Sequence, residues 1–185
     1  MPSCPTTVRL YSYGVGITPW ESPEEEADRL KTELAGRGLE EVDILLDARC
    51  FRDPGATESG LNGHTGRNPH IMCNLVHHSD FENWLLAAKL QFERCLRLRG
   101  KLANFAGVII IVVYCRSGKH RSVAVCHVLR HILNEQTTHK LRAEDPVDLM
   151  CTSWGRKCCY GVCPECISMP PCRQAALIRA LTFWQ

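Results

Sequence analysis

The densest group of chemically useful side chains in the sequence lies between Tyr114 and Ser122, which reads Tyr-Cys-Arg-Ser-Gly-Lys-His-Arg-Ser. Arginine can bind a phosphate through two parallel hydrogen bonds, and Gly118 allows the backbone to approach a ligand closely. Lysine and histidine add further donors. The segment therefore predicts a phosphate-binding loop made of Cys115, Arg116, Ser117, Gly118, Lys119, His120, Arg121 and Ser122.

The same segment allows a second chemistry, in which Cys115 is a nucleophile. A cysteine, five residues, Arg121 and then Ser122 resemble the phosphate loop of cysteine-dependent phosphatases. In such enzymes the thiolate attacks phosphorus, the arginine binds the equatorial oxygens and the hydroxyl stabilises the departing thiolate. That template has histidine where this chain has Tyr114, and it needs an aspartic acid to protonate the leaving group. The spacing does not choose among Asp47, Asp53 and Asp80.

The elements around the loop predict an α/β fold. Val108–Val113 is continuously apolar and β-branched, which is typical of a central strand covered on both faces, and a helical pattern follows from Arg121. Because the first N–H groups of a helix lack partners within it and lie at the positive end of its dipole, this loop can hold an anion. Strands alternating with helices predict a layered sheet with helices packed on it and sites at the strands' carboxyl ends.

Two further strands end at residues suited to a site. Thr7–Tyr13 alternates between apolar and polar residues and is followed by a glycine-rich turn. Val42–Leu46 predicts a buried strand that delivers Asp47 and Arg49 at its carboxyl end. The long segment Phe51–Pro69 has no sustained periodicity and predicts a loop.

Three helices are expected outside these strands. Ser22 with Pro23 and Glu25 forms an N-terminal capping signal, and Ser79 begins a second capping box before a helix that runs to about Gly100. A terminal helix over Gln174–Trp184 is expected to dock on the domain through Ala176, Leu177, Ala180, Leu181 and Trp184.

Composition and charge exclude several classes of protein. The chain has 185 residues, of which 45% are hydrophobic and 23% charged, so a disordered or fibrous protein does not fit. A net charge of +2 argues against attraction of the whole surface to nucleic acid or an anionic membrane. One candidate strip for RNA is formed by Arg94, Arg97, Arg99 and Lys101, although cations at a helix end that complement its dipole are the favoured interpretation.

The distribution of apolar residues and cysteines bears on the compartment. The amino end has no secretory-signal pattern, and the longest apolar stretch, Val108–Tyr114, is far shorter than the roughly 20 residues of a membrane helix. We therefore expect a cytoplasmic protein without a membrane partner. In that compartment the twelve cysteines are expected to be reduced thiols.

Half of these cysteines lie near the carboxyl end, at Cys151, Cys158, Cys159, Cys163, Cys166 and Cys172. Cys163-Pro-Glu-Cys166 has the spacing of zinc ligands, and other thiols lie on either side. Because a second Cys-x-x-Cys pair is missing, thiols that pack or remain free are favoured over a zinc knuckle. The identity of any cofactor is therefore left open.

Four motifs in the same order resemble the C-terminal domain of the RapZ family, the bacterial RNase adapter proteins. They are Ser-Tyr-Gly at residues 12–14, which resembles the family's SFG; DARCFRDP at 47–54, similar to DVRFLPNP; HTG at 64–66, similar to LTG; and YCRSGKHRSV at 114–123, similar to GCTGGKHRSV. The resemblance covers residues 7–145 and leaves a cysteine-rich extension over residues 146–185. It implies binding of small regulatory RNA and phosphorylated sugar metabolites, in a pocket formed by Asp47, Arg49 and the Cys115–Ser122 loop.

The sequence also departs from that family. It contains no G-x-x-x-x-G-K-[ST] loop for ATP, and Arg116-Ser117 replaces Thr-Gly, which makes the phosphate loop bulkier and more basic. The leading hypothesis is a phosphate-ligand-binding domain for a phosphorylated metabolite, nucleotide or RNA, acting as a sensor or adapter. A phosphatase that uses Cys115 and Arg121, and a protein-interaction module, are the alternatives, and a homo-oligomer is left open.

Overall fold

The structure, a computed structural model, describes residues 6–16, 22–54, 59–100, 107–136, 141–151, 158 and 163–185. Of the residues discussed above, Lys101 and Cys159 lie outside these ranges. Within the described ranges, every helix is too short or too polar to cross a membrane.

Five parallel strands form one sheet: β1 (Thr6–Gly14), β2 (Ile44–Asp47), β3 (Val108–Cys115), β4 (Leu141–Ala143) and β5 (Val147–Asp148). The strand order is β2-β3-β1-β4. Strand β5 also pairs with β1, nearer the carboxyl end of β1 than β4 does. In this register Gly14 lies opposite Cys115, and Asp47 lies opposite Tyr114. The carboxyl ends of β1, β2 and β3 therefore meet at one edge, and the predicted α/β sheet is confirmed.

Six helices are found in the described residues: α1 (Pro23–Ala35), α2 (Pro69–Val76), α3 (Phe81–Arg99), α4 (Arg121–Glu135), α5 (Pro164–Ile167) and α6 (Pro171–Trp184). A single 3-10 turn at Ser59–Leu61 interrupts the predicted loop. Helix α2, which begins where that loop ends, was not predicted. Asn68 caps α2 by accepting a hydrogen bond from the amide of His70, and Pro69 occupies the first turn.

Strand β3 is covered on both faces, as its continuous apolar run predicts. Ile109, Ile111 and Val113 point into the main core, which they share with helices α2, α3, α4 and α6. Val112 points the other way and packs with Leu30 of α1. Full burial of such a side chain stabilises the fold by about 1.5–3 kcal/mol. This layering holds the loop after β3 on a rigid base.

The two predicted capping signals had different outcomes. The Ser22 hydroxyl accepts a hydrogen bond from the amide of Glu25 at 3.1 Å, so the predicted start of α1 is confirmed. The prediction at Ser79 was wrong, because α3 begins at Phe81 with Asp80 as its N-cap and no side-chain cap. The Ser79 hydroxyl faces the Asp80 carboxylate instead, and is therefore not available to cap the helix.

The terminal helix α6 packs against α2, α3 and α4, and the predicted docking is confirmed. Its buried side chains, which belong to the main core, are Ala176, Leu177, Ala180 and Trp184. The Lys89 ammonium of α3 donates to the carbonyl oxygen of Trp184 and so stabilises the end of the helix.

The division of the chain at residue 145, into a family-like domain and a cysteine-rich extension, stays a prediction.

Candidate phosphate-binding site

The loop between β3 and α4 lies against the end of β1. The amide of Val15 donates to the carbonyl oxygen of Cys115 at 3.0 Å, and the amide of Gly16 donates to that of Arg116 at 2.8 Å. These bonds continue the β1–β3 pairing past the last strand residues. The loop therefore starts in a fixed position at the carboxyl edge of the sheet.

Two glycines make this contact possible. A Cβ added at Gly14 would lie 2.6 Å from the carbonyl carbon of Ser117, and one added at Gly118 would lie 2.7 Å from the amide nitrogen of Gly14. Gly118 also has a φ of 69°, in the left-handed region that favours glycine. The Ser-Tyr-Gly motif and the phosphate loop therefore touch through backbone atoms alone.

The backbone amides of the loop from Arg116 to His120 have no acceptors within the described residues. The Arg116 and Ser117 side chains are exposed. The Lys119 ammonium is half-buried and donates to the carbonyl oxygen of Asn62. Since α4 begins directly after these amides, the positive end of its dipole adds to their attraction for an anion.

Arg121 points away from these amides and into the protein. Its guanidinium donates to the carbonyl oxygens of Arg49 and Phe51, at 3.2 and 3.0 Å, and lies 3.5 Å from the Asp53 carboxylate. The residue is only 7% exposed. Arg121 therefore connects the start of α4 to the segment after β2.

His120 makes a similar connection to the His-Thr-Gly motif. Its Nδ1 lies 3.0 Å from the Asp53 carboxylate, and its Nε2 lies 3.0 Å from the carbonyl oxygen of His64. Beside it, the amide of Gly66 donates to the carbonyl oxygen of Lys119 at 2.9 Å. Two sides of the phosphate loop are thus held by other loops.

Asp47 and Arg49 lie next to the phosphate loop and bind each other. The Arg49 guanidinium contacts Asp47 at 2.6 Å and Glu26 of α1 at 2.5 Å, and it stacks on the Tyr114 ring. Because the Arg49 guanidinium donates hydrogen bonds to the Asp47 and Glu26 carboxylates, the pKa of Arg49 is raised. Burial and the nearby Asp47 charge raise the pKa of Tyr114 to about 12. The arginine is thus held by two carboxylates.

Glu26 of α1 was not among the predicted site residues. The residue is 7% exposed and shares a helix face with Leu30 and Leu34, at intervals of four residues. That interval was the available signal, since a carboxylate among buried leucines needs a cationic partner.

Cys115 lies beneath the loop, with no exposed surface. Its Sγ is 3.3 Å from the Oγ of Ser122. The thiol and the hydroxyl that the phosphatase template requires are therefore in contact, but the arginine of that template is engaged with carbonyl oxygens.

A buried carboxylate that the sequence analysis did not single out also supports this edge of the sheet. Asp148, at the end of β5, accepts hydrogen bonds from Ser12 and Arg67, both at 2.7 Å. Its side chain is 3% exposed. The partners are 136 and 81 residues away in sequence, so no local pattern could have revealed the pairing.

The described part of the candidate RNA strip is partly neutralised. The Arg99 Nε donates to Asp43 at 2.7 Å, and the Arg97 guanidinium lies 4.0 Å from Glu93. Arg94 is exposed. This arrangement agrees with helix-end cations that pair locally.

A second cluster of chemically useful groups lies behind the phosphate loop. It combines His64 with Cys158, Cys163 and Cys166, whose potential ligand atoms all lie within 4.8 Å of one another. A hydrogen bond from the backbone amide of Cys166 lowers the pKa of the Cys163 thiol to about 7. The thiols were candidate zinc ligands from the sequence, but His64 was not predicted as a ligand. The available signal was histidine at the first position of His-Thr-Gly, where the resembling motif has leucine.

Comparison with known families identifies a family model that matches this chain. The family model described as the RapZ C-terminal domain matches residues 35–145, which is more than half of the chain. The matched segment contains β2, β3, α4 and the phosphate loop between them. A search of curated proteins found no match.

Proposed function

The chain belongs to the RapZ C-terminal domain family, and from this membership we propose that it is a phosphate-ligand-binding domain of an adapter or sensor. Its ligand is a phosphorylated metabolite, a nucleotide or RNA. In this proposal the phosphate lies over the loop between Cys115 and Ser122.

The observation that carries the proposal is the run of backbone amides from Arg116 to His120, which have no acceptor among the residues that the structure describes. They lie at the start of a helix of 15 residues, at the carboxyl edge of a parallel sheet. Ligands bind preferentially at this edge in α/β folds, and amides at a helix start favour negative charge. Arg116, Ser117 and Lys119 supply the nearby side-chain donors. In the proposed site Arg49, His120 and Arg121 contact neighbouring segments and so fix the position of the loop that binds the phosphate.

Replacing Arg116 with alanine is expected to weaken phosphate binding about 3- to 10-fold, because an exposed charge-assisted hydrogen bond is lost while the amides remain. Titration calorimetry with inorganic phosphate and with a nucleoside monophosphate measures the affinity. The matched control is Arg142→Ala, which removes an exposed arginine of β4 that lies opposite Thr7, near the other end of β1. Equal affinities for wild type and Arg116→Ala would contradict the proposed site, as would an equal loss in Arg142→Ala.

The phosphatase alternative is favoured by one observation, the 3.3 Å contact between the Cys115 thiol and the Ser122 hydroxyl. Hydrolysis of an aryl phosphate by wild type and Cys115→Ser distinguishes the two functions. Turnover that the serine variant loses would establish the enzyme. Binding of phosphate by both proteins without turnover would support the proposed binding domain.

A further inference from the structure

Four side chains from two distant parts of the chain converge at the back of the phosphate loop. The Nδ1 atom of His64 lies 3.7, 3.6 and 3.5 Å from the Sγ atoms of Cys158, Cys163 and Cys166. The sulfur atoms of Cys158 and Cys166 are 3.7 Å apart. In a tetrahedral site with Zn–S of about 2.3 Å and Zn–N of about 2.0 Å, ligand atoms are separated by about 3.5–3.8 Å. These four separations match that geometry, and all the ligand atoms lie within 4.8 Å of one another.

The histidine is oriented for metal binding by its second nitrogen. His64 Nε2 lies 3.2 Å from the carboxylate of Glu165. A hydrogen bond to a carboxylate places the proton on Nε2 and leaves the lone pair of Nδ1 facing the three sulfur atoms. Zinc-binding histidines commonly have such a carboxylate partner.

Neither hydrophobic packing nor disulfide bonding accounts for this cluster. Cys158, Cys163 and Cys166 are buried, yet they form a cluster of their own that is separate from both hydrophobic cores. All three are free thiols, and a disulfide between any two would leave the third without a partner inside this cluster. A small group of thiols around a histidine provides little apolar burial to hold this segment in place. A metal ion would supply that missing stabilisation.

The surroundings also balance the charge of a metal site. Three thiolates and Zn²⁺ carry a net charge of −1, which favours a nearby cation. The guanidinium of Arg173 donates to the carbonyl oxygens of Cys166 and Ser168, at 3.2 and 2.9 Å. Arg173 therefore both fixes the turn that carries Cys166 and places positive charge beside it.

We propose that His64, Cys158, Cys163 and Cys166 bind one Zn²⁺ ion in a structural site that fastens the cysteine-rich extension to the His-Thr-Gly loop. Three thiolates and one imidazole are a ligand set that selects zinc, and four protein ligands leave no position for a substrate. The proposal is independent of phosphate binding, although the two sites are connected. The carbonyl of His64, whose ring binds the metal, contacts His120 of the phosphate loop.

The test begins with metal analysis of the full-length chain after exhaustive dialysis without chelator. About one equivalent of zinc is expected for wild type and for the control Cys50→Ser, which changes an exposed cysteine outside the cluster. Cys163→Ser is expected to retain less than about a tenth of an equivalent. A zinc-free wild type that takes up no added zinc would overturn the proposal, and so would a full equivalent in Cys163→Ser.

Two further measurements cover the case in which Cys163→Ser does not fold. Glu165→Gln keeps all four ligands and is expected to lower zinc affinity about 10- to 100-fold, measured by competition with a chelator. An unchanged affinity would exclude the assigned role of Glu165. Cobalt-substituted wild type is expected to show the intense visible absorption of a tetrahedral site, with thiolate charge-transfer bands. An octahedral spectrum would overturn the proposed geometry. No phosphate ligand is present in these measurements, so their failure leaves the proposed function unaffected.

Discussion

Replacing Gly66 with alanine is expected to lower the free energy of unfolding by at least about 3 kcal/mol, or to prevent folding altogether. A Cβ at this position would overlap the carbonyl oxygen of His120 and the amide nitrogen of Ala124, and would lie 2.9 Å from the Cβ of Val123. Two of these three neighbours are backbone atoms in the first turn of α4, so no side chain can rotate to make room. Urea denaturation followed by circular dichroism measures the change.

Gly60→Ala is the matched control for this substitution. An added Cβ there has nothing within 4 Å, so the free energy of unfolding is expected to stay within about 0.5 kcal/mol of wild type. If Gly66→Ala were as stable as Gly60→Ala, the His-Thr-Gly loop could not lie against α4 as described. The contacts of His120 and the proposed phosphate site would then need revision.

Arg121→Ala is the second change for which a large effect is expected, a loss of about 2–4 kcal/mol in the free energy of unfolding. The substitution removes a buried cation from Asp53 and deprives the carbonyl oxygens of Arg49 and Phe51 of a donor. Arg121→Lys is expected to restore less than half of the loss, because an ammonium cannot reproduce the planar arrangement of donors. Thermal and urea denaturation provide the measurement.

Arg116→Ala removes the same charge from the same loop and is the control. Because Arg116 is exposed, its loss is expected to change the free energy of unfolding by less than about 0.5 kcal/mol. Arg121 was predicted from the sequence to bind the ligand, and the two variants distinguish that role from a structural one. Wild-type stability of Arg121→Ala combined with a phosphate affinity more than about 10-fold weaker would show that the guanidinium binds the ligand directly.

Local patterns in the sequence were sufficient to predict most of the sheet and its longer helices. The unbroken apolar run of β3 requires cover on both faces, and Ser22 with the following proline allows only one start for α1. Helix α2 was missed because its local pattern does not resemble that of a helix. It has only eight residues, and its start at Asn68-Pro69 lies in a segment whose composition is typical of loops.

The candidate-site residues that the sequence suggests lie in one continuous loop or directly after a predicted strand, as Asp47 and Arg49 do. The loop from Cys115 to Ser122 stands out because its donors lie side by side in the sequence. Glu26, Asp148 and His64 contribute through partners that are 23 to 136 residues away, which are contacts that only the assembled sheet creates. A single sequence carries no periodicity that links such positions.

The backbone contact between Gly14 and Gly118 also limits how this chain can evolve. Where two side chains meet, enlargement of one is commonly compensated by reduction of the other. Here both positions already carry the smallest residue and the opposing atoms belong to the main chain, so neither change has a compensating partner. Changes in side-chain chemistry along this loop are thereby directed to neighbouring positions such as Arg116 and Ser117, whose side chains are exposed.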